Sequence, residues 1–187
     1  MGVPRSTLVL SSFLLIVYAC GQQPQPESAR TVAAFEVPLQ SEADRNQFLA
    51  VLRAAATAEG MHVDAASRRE LEDEATVSPA LKRTLKAAVW RGANDDEAVA
   101  VAMDQHDHLG QVWIAFLKGK DPTATSRFRE GVVREIMLHW PATLSLPIMP
   151  TGAIPLHRDL VRTPNGYIVN PSEAHKYELQ REDTRLR

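Results

Sequence analysis

The densest group of side chains able to do chemistry is Asp104-Gln105-His106-Asp107-His108, set between two apolar runs. Imidazoles and carboxylates are the ligands of borderline divalent metals such as zinc. If the strand continues through this stretch, His106 and His108 lie on one side of it, and with Asp104 and Asp107 they form a candidate surface metal site. The competing reading is a hairpin loop, where aspartate is common because its side chain bonds neighbouring backbone amides. A catalytic zinc would need a further protein ligand, and His62, His139, His157 and His175 are scattered, with no His-Glu-x-x-His spacing.

Other routes to catalysis have less to work with. No serine sits in a Gly-x-Ser-x-Gly elbow, and Gly119, Gly131 and Gly152 do not compose a phosphate-binding loop. The carboxylate pairs Asp73/Glu74 and Asp95/Asp96 stand in strongly polar stretches that give their pKa values little reason to move. These observations argue against a hydrolase, and no cofactor is expected. A segment of different character runs from Pro147 to Leu156, where prolines and Gly152 interrupt apolar side chains. Ile148, Met149, Pro150, Ile154 and Leu156 are candidate partner-binding residues, because prolines lower the entropy lost when a partner holds such a segment. The alternative is a rigid strand that closes one end of the core. Trp90, Trp113 and Trp140 read as core or core rim before interface anchors.

The elements that must position these groups follow from periodicity. Phe35, Val37 and Leu39 alternate with Glu36 and Pro38, which predicts a half-buried strand, with Pro38 at an edge or strand end. Ser41 to Asp44 looks like a helix N-cap; Phe48, Leu49, Leu52, Ala55 and Ala56 recur at helical spacing, and Gly60 stands where a helix ends. Met61 and Val63 begin a second strand. Ser67 to Ala75 is almost wholly charged and reads as a solvated helix face or a loop. Strands are predicted over 85–91, over 97–103 with Val99, Val101 and Met103 on one face, and over 112–117, which is apolar on both faces and therefore central. Asp121-Pro122-Thr123 opens a second helix with Phe128, Val132, Val133, Ile136, Met137 and Trp140 on its apolar stripe, ended by Pro141. A last core strand is expected over 143–149, and Asn165-Gly166 marks a hairpin. The predicted fold is α+β: two helices on one face of a mostly antiparallel sheet, an elaborated ferredoxin-like sandwich.

The N-terminus speaks to location. An apolar run from Leu8 to Val17 follows Arg5 and ends in Val17-Tyr18-Ala19-Cys20, which contains the only cysteine of the chain. The run is too short to span a bilayer and reads as a signal peptide. It resembles the lipobox of bacterial lipoproteins. That resemblance implies cleavage before Cys20, acyl chains of the palmitate kind on Cys20, and attachment to the membrane through them. Two or three chains, at about 0.8 kcal/mol per buried methylene, hold a protein on a bilayer essentially permanently. Gly21 stands where lipoproteins of the inner membrane commonly carry aspartate, so the resemblance favours the outer membrane, with the folded part facing the periplasm. Gly21 to Ser28 is polar and rich in proline and glutamine, as a tether would be.

Composition narrows the remainder. The predicted organisation is a signal peptide over 1–19, a lipidated tether over 20–31, one domain over 32–170 and a charged tail over 171–187. With 21 basic and 23 acidic residues, the chain offers no electrostatic reason to bind nucleic acid. The first functional expectation is a non-enzymatic envelope lipoprotein that binds another protein, as an accessory factor or an immunity-type inhibitor of a toxin. The second is a metal-binding protein or metal-dependent enzyme centred on Asp104, His106, Asp107 and His108. The third is a carrier of an apolar ligand between helix and sheet.

Overall fold

A computed structural model describes residues 26–78, 83–92, 94–105 and 108–177. Cys20, His106 and Asp107 lie outside these residues. The described chain runs β1 (Thr31–Pro38), α1 (Glu42–Ala58), β2 (Met61–Ala65), α2 (Arg68–Val77), β3 (Lys86–Arg91), β4 (Glu97–Gln105), β5 (His108–Leu117), α3 (Pro122–His139), β6 (Leu144–Ser145), β7 (Leu160–Thr163) and β8 (Gly166–Val169). Six strands form one antiparallel sheet in the order β2-β3-β4-β5-β1-β6, and β7 and β8 form a separate hairpin. The fold is α+β, with helices packed on the sheet. β1 lies between β5 and β6, the chain leaves it through α1 and leaves β5 through α3, and the β2–β5 meander widens this split arrangement by a hairpin.

Local chemistry sets the helix ends. Ser41 and Asp44 form a reciprocal capping box at α1, and Ser67 and Glu70 do the same at α2. The charged stretch after Ser67 is therefore a helix, with Leu71 its buried residue. At α3 the Asp121 carboxylate accepts from the amides of Thr123 and Ala124, Pro122 occupies the first turn, and Trp140 is the C-cap directly before Pro141.

The main core lies between the sheet and the pair α1/α3. Phe48, Leu52 and Ala56 of α1 meet Phe128, Val132 and Ile136 of α3 over Val89, Ala100, Ala102, Val112, Ile114 and Phe116. Met137 falls off the buried stripe and is 39% exposed. On β4 the predicted face divides. Val89 pairs with Ala100 and Trp90 with Ala98, so Val99 is an extra, unpaired residue. This bulge admits Val99 to the core beside Ala100 and Ala102, while Val101 and Met103 take the opposite face with Trp113.

That opposite face is covered beyond β5 by the segment after α3. Ala34, Trp113 and Leu146 form a second, smaller core packed by Ile148, Ile154, Leu160 and Tyr167. The strand expected over 143–149 is confined to Leu144 and Ser145, because Pro147 has no amide hydrogen with which to continue a ladder. Gly166 brings the β7–β8 hairpin onto β6: its φ is +128°, and a Cβ there would stand 2.7 Å from the Ser145 carbonyl oxygen.

Candidate functional site

The predicted metal cluster begins at Asp104, which the structure turns inward. Asp104 is fully buried at the end of β4. Its Oδ2 accepts from the amides of Thr84 (2.8 Å) and Leu85 (2.6 Å) and from the Thr84 hydroxyl (2.8 Å), and its Oδ1 accepts from the Gly110 amide at 3.0 Å. The Asp104 carbonyl accepts from Arg83 Nη1 at 2.9 Å. Four donors thus converge on the buried carboxylate, three of them on Oδ2. Asp104 therefore fastens the β4–β5 hairpin to the start of β3. Of its sequence companions, His106 and Asp107 lie outside the described residues, and His108 begins β5. Among the described residues no group of three or more His, Cys, Asp or Glu is placed to hold a metal. His62 meets a single carboxylate, Asp95, at 2.6 Å on the surface.

A second buried carboxylate escaped the sequence reading. Glu36, in the middle of β1, is 4% exposed. Its Oε2 accepts from Trp113 Nε1 at 2.9 Å, its Oε1 from the Tyr167 hydroxyl at 2.7 Å, and His157 Nε2 stands 3.7 Å from Oε2. The His157 ring also packs on Trp113 and Tyr167, with centroids 5.7 and 5.9 Å away. Burial, helped by the hydrogen bond to Glu36, pushes the Tyr167 hydroxyl up to about 12, so it remains a donor at all ordinary pH values. A polar residue alternating with Phe35 and Val37 looks solvent-facing in sequence; its cover comes from a segment more than a hundred positions later.

A further clasp closes that segment. Asp159, nearly fully buried, accepts from the Tyr177 hydroxyl at 2.7 Å and from Lys176 Nζ at 3.0 Å. Those two donors hold its carboxyl below the ordinary aspartate range, the tyrosine contributing most. Residues 176 and 177 are thus part of the packed fold.

The remaining predicted residues divide. Ile154 packs into the second core with Ile148, and the Leu156 amide donates to the Tyr177 hydroxyl at 3.2 Å. Ile148, Met149 and Pro150 also line an open cleft of about 760 Å³, where Arg30, Lys118 and Arg129 are its cations and Glu27 its one carboxylate. Backbone pairing builds the floor: the Lys118 amide donates to the Arg30 carbonyl at 2.8 Å and the Gly119 amide to the Ser28 carbonyl at 2.9 Å. Glu27–Ala29 forms a turn of 3-10 helix immediately before β1, so the start of the described chain is a wall of the cleft. On the other side the turn over 149–153 closes through Gly152 N to Met149 O at 2.8 Å. Gly152 has φ +88°, and a Cβ there would come within 2.8 Å of Arg30 Cγ. Only glycine lets this turn approach so closely.

The charges of the cleft are unequally matched. Lys118 Nζ lies 2.8 Å from Glu27 Oε1, and Arg30 Nη1 lies 3.7 Å from the same oxygen. Lys118, first by its hydrogen bond and then by its charge, holds the Glu27 carboxyl below the ordinary glutamate range. Arg129 Nη2 donates to the Ser126 hydroxyl at 2.8 Å, and no carboxylate lies within ion-pair distance of it among the described residues. The amides of the first turn of α3 are satisfied by Asp121, so the positive character here comes from side chains. Val32 adds an apolar group: it falls at the register shift between Thr31 and Ala33, unpaired with β5, and is 38% exposed at the cleft.

Fold and site together define an antiparallel α+β domain with a mixed cationic and apolar cleft at the root of its N-terminal segment. Compared with known protein families, with curated proteins and with solved structures, the chain matches none. Among the described residues no helix is long and apolar enough to cross a membrane.

Proposed function

We propose that the chain is a bacterial envelope lipoprotein anchored by acyl chains on Cys20, in the outer membrane and facing the periplasm, whose α+β domain is a non-enzymatic accessory module that binds a second envelope protein. The observation that carries this reading is the cleft. Three cations face one carboxylate in an open site lined by the exposed Val32 and, more deeply, by Ile148, the buried Met149 and Pro150, which is the chemistry of a binding surface. It begins at Glu27, a few residues beyond the cysteine of the lipobox-like segment, so an acyl anchor would hold the cleft near the bilayer surface, within reach of other membrane-bound proteins. The polar groups of the β4–β5 hairpin, by contrast, include a carboxylate already saturated by the fold.

Two readouts test the proposal. Cells fed an alkyne-labelled palmitate should label the wild-type chain and leave Cys20→Ser unlabelled; label on both would remove the anchor from the account. Cross-linking in whole cells, followed by membrane isolation, should recover a stoichiometric envelope protein, and recovery should drop with Arg129→Gln. Recovery of the chain alone would contradict the binding reading.

A further inference from the structure

We propose that the cleft receives an acidic segment of the partner, one carrying both carboxylate and apolar side chains, and that Glu27 is a built-in stand-in for the partner's carboxylate. This rests on the reading of the domain as a protein-binding module and names what it binds.

Charge complementarity is the first argument. Arg30, Lys118 and Arg129 are opposed within the cleft by Glu27 alone, and Arg129 is without a carboxylate partner among the described residues. The Arg129 guanidinium is oriented by the Ser126 hydroxyl, which itself donates to Glu130 Oε1 at 2.9 Å, and an incoming carboxylate would take its remaining donors directly. Apolar groups supply the second contact. On the side of β1 away from β5 the turn over 149–153 covers Thr31, a Cβ at Gly152 standing 3.1 Å from the Thr31 amide nitrogen, so this edge is closed to a further strand. Val32 remains 38% exposed at the cleft beside Ile148 and Pro150. A segment carrying both carboxylate and apolar side chains would meet the cations and these apolar groups together.

Glu27 gives the proposal its sign. Its carboxylate takes Lys118 and, more loosely, Arg30, the two cations an acidic partner must share. Removing that competitor leaves the cleft more positive and open to the partner. An acidic ligand should therefore bind more tightly to Glu27→Gln than to the wild type. Were Glu27 itself a contact for a basic ligand, the same substitution would weaken binding.

The test uses the full chain in detergent and two fluorescent synthetic peptides, one alternating glutamate with leucine and its counterpart alternating glutamine with leucine, with anionic phospholipid vesicles as a separate arm. The glutamate peptide should bind at least about tenfold more tightly than the glutamine peptide, with affinity falling as salt is raised. Glu27→Gln should strengthen glutamate-peptide binding by about threefold, and Arg129→Gln should weaken it by about the same factor. Equal binding of both peptides, weaker binding to Glu27→Gln, or binding of vesicles without binding of peptide would overturn the proposal. A partner recovered by cross-linking whose capture ignores both substitutions would leave the binding module standing and reject this occupant.

Discussion

Asp104, at the end of β4, and the cleft at the root of β1 both gather polar groups, yet they stand in opposite states. Asp104 is sealed from solvent, and both oxygens of its carboxylate accept from donors of Thr84, Leu85 or Gly110. At the cleft, three cations share one carboxylate, and Arg129 rests on a hydroxyl. A saturated buried group stabilises the fold and has nothing left to offer a ligand, whereas an exposed, under-compensated group contributes little to stability and is available for binding. Density of polar residues in the sequence therefore does not by itself mark unmet hydrogen-bonding or charge capacity, which is what a ligand can use.

The difference is open to attack in order of expected effect. Asp104→Ala leaves three backbone amides and a hydroxyl facing a void, and should cost about 3–5 kcal/mol of unfolding free energy. Denaturant titration measures this, and a loss below about 1 kcal/mol would mean that the hairpin is not held as described. Glu36→Ala deprives the Trp113 indole and the Tyr167 hydroxyl of their acceptor and should cost about 2 kcal/mol. Its ultraviolet titration should also show Tyr167 ionising at lower pH than in the wild type, since part of the push to about 12 comes from Glu36.

Asp159 gives a smaller, pH-dependent effect. Its carboxyl is lowered in the folded state, so its contribution is present above the unfolded aspartate value of about 3.9 and is lost as the pH falls through the folded value. Acid should therefore loosen the clasp of Lys176 and Tyr177, speeding amide exchange at Leu156 beyond the intrinsic pH trend. Asp159→Asn should weaken the clasp at neutral pH and flatten that dependence. Smallest of all, Glu27→Gln and Arg129→Gln should leave the denaturation midpoint nearly unchanged, because Glu27 is exposed and Arg129 rests on a hydroxyl. A large loss from either would make the cleft a structural element and erase the contrast with Asp104.

Much of the fold was legible because its signals are local. Ser41 and Asp44 announced α1, Asp121 and Pro122 announced α3, Asn165-Gly166 announced the β7–β8 hairpin, and the apolar spacing on both long helices placed them on one face of the sheet. The features that stayed hidden depend on residues distant in sequence. Glu36 read as a surface position because nothing near it in the chain reveals that Tyr167 and His157 will cover it. The bulge at Val99 broke the alternation that set Val99, Val101 and Met103 on one face. The segment from Ile148 to Pro150 was legible as unusual, but the cations it faces are contributed by Arg30, Lys118 and Arg129, three positions no spacing rule connects. Asp104 was legible as chemistry, but the partners that saturate it come from the chain before β3 and from Gly110.

Binding at the cleft, as proposed, and binding at the histidine-containing hairpin leave different contacts in the cell. A photo-reactive amino acid placed at position 148 in one full-length variant and at position 106 in another, both irradiated in whole cells, distinguishes them most directly. With the cleft as the binding site, position 148 yields a specific cross-linked envelope protein and position 106 yields none. A cross-link formed from position 106 alone would contradict the proposal.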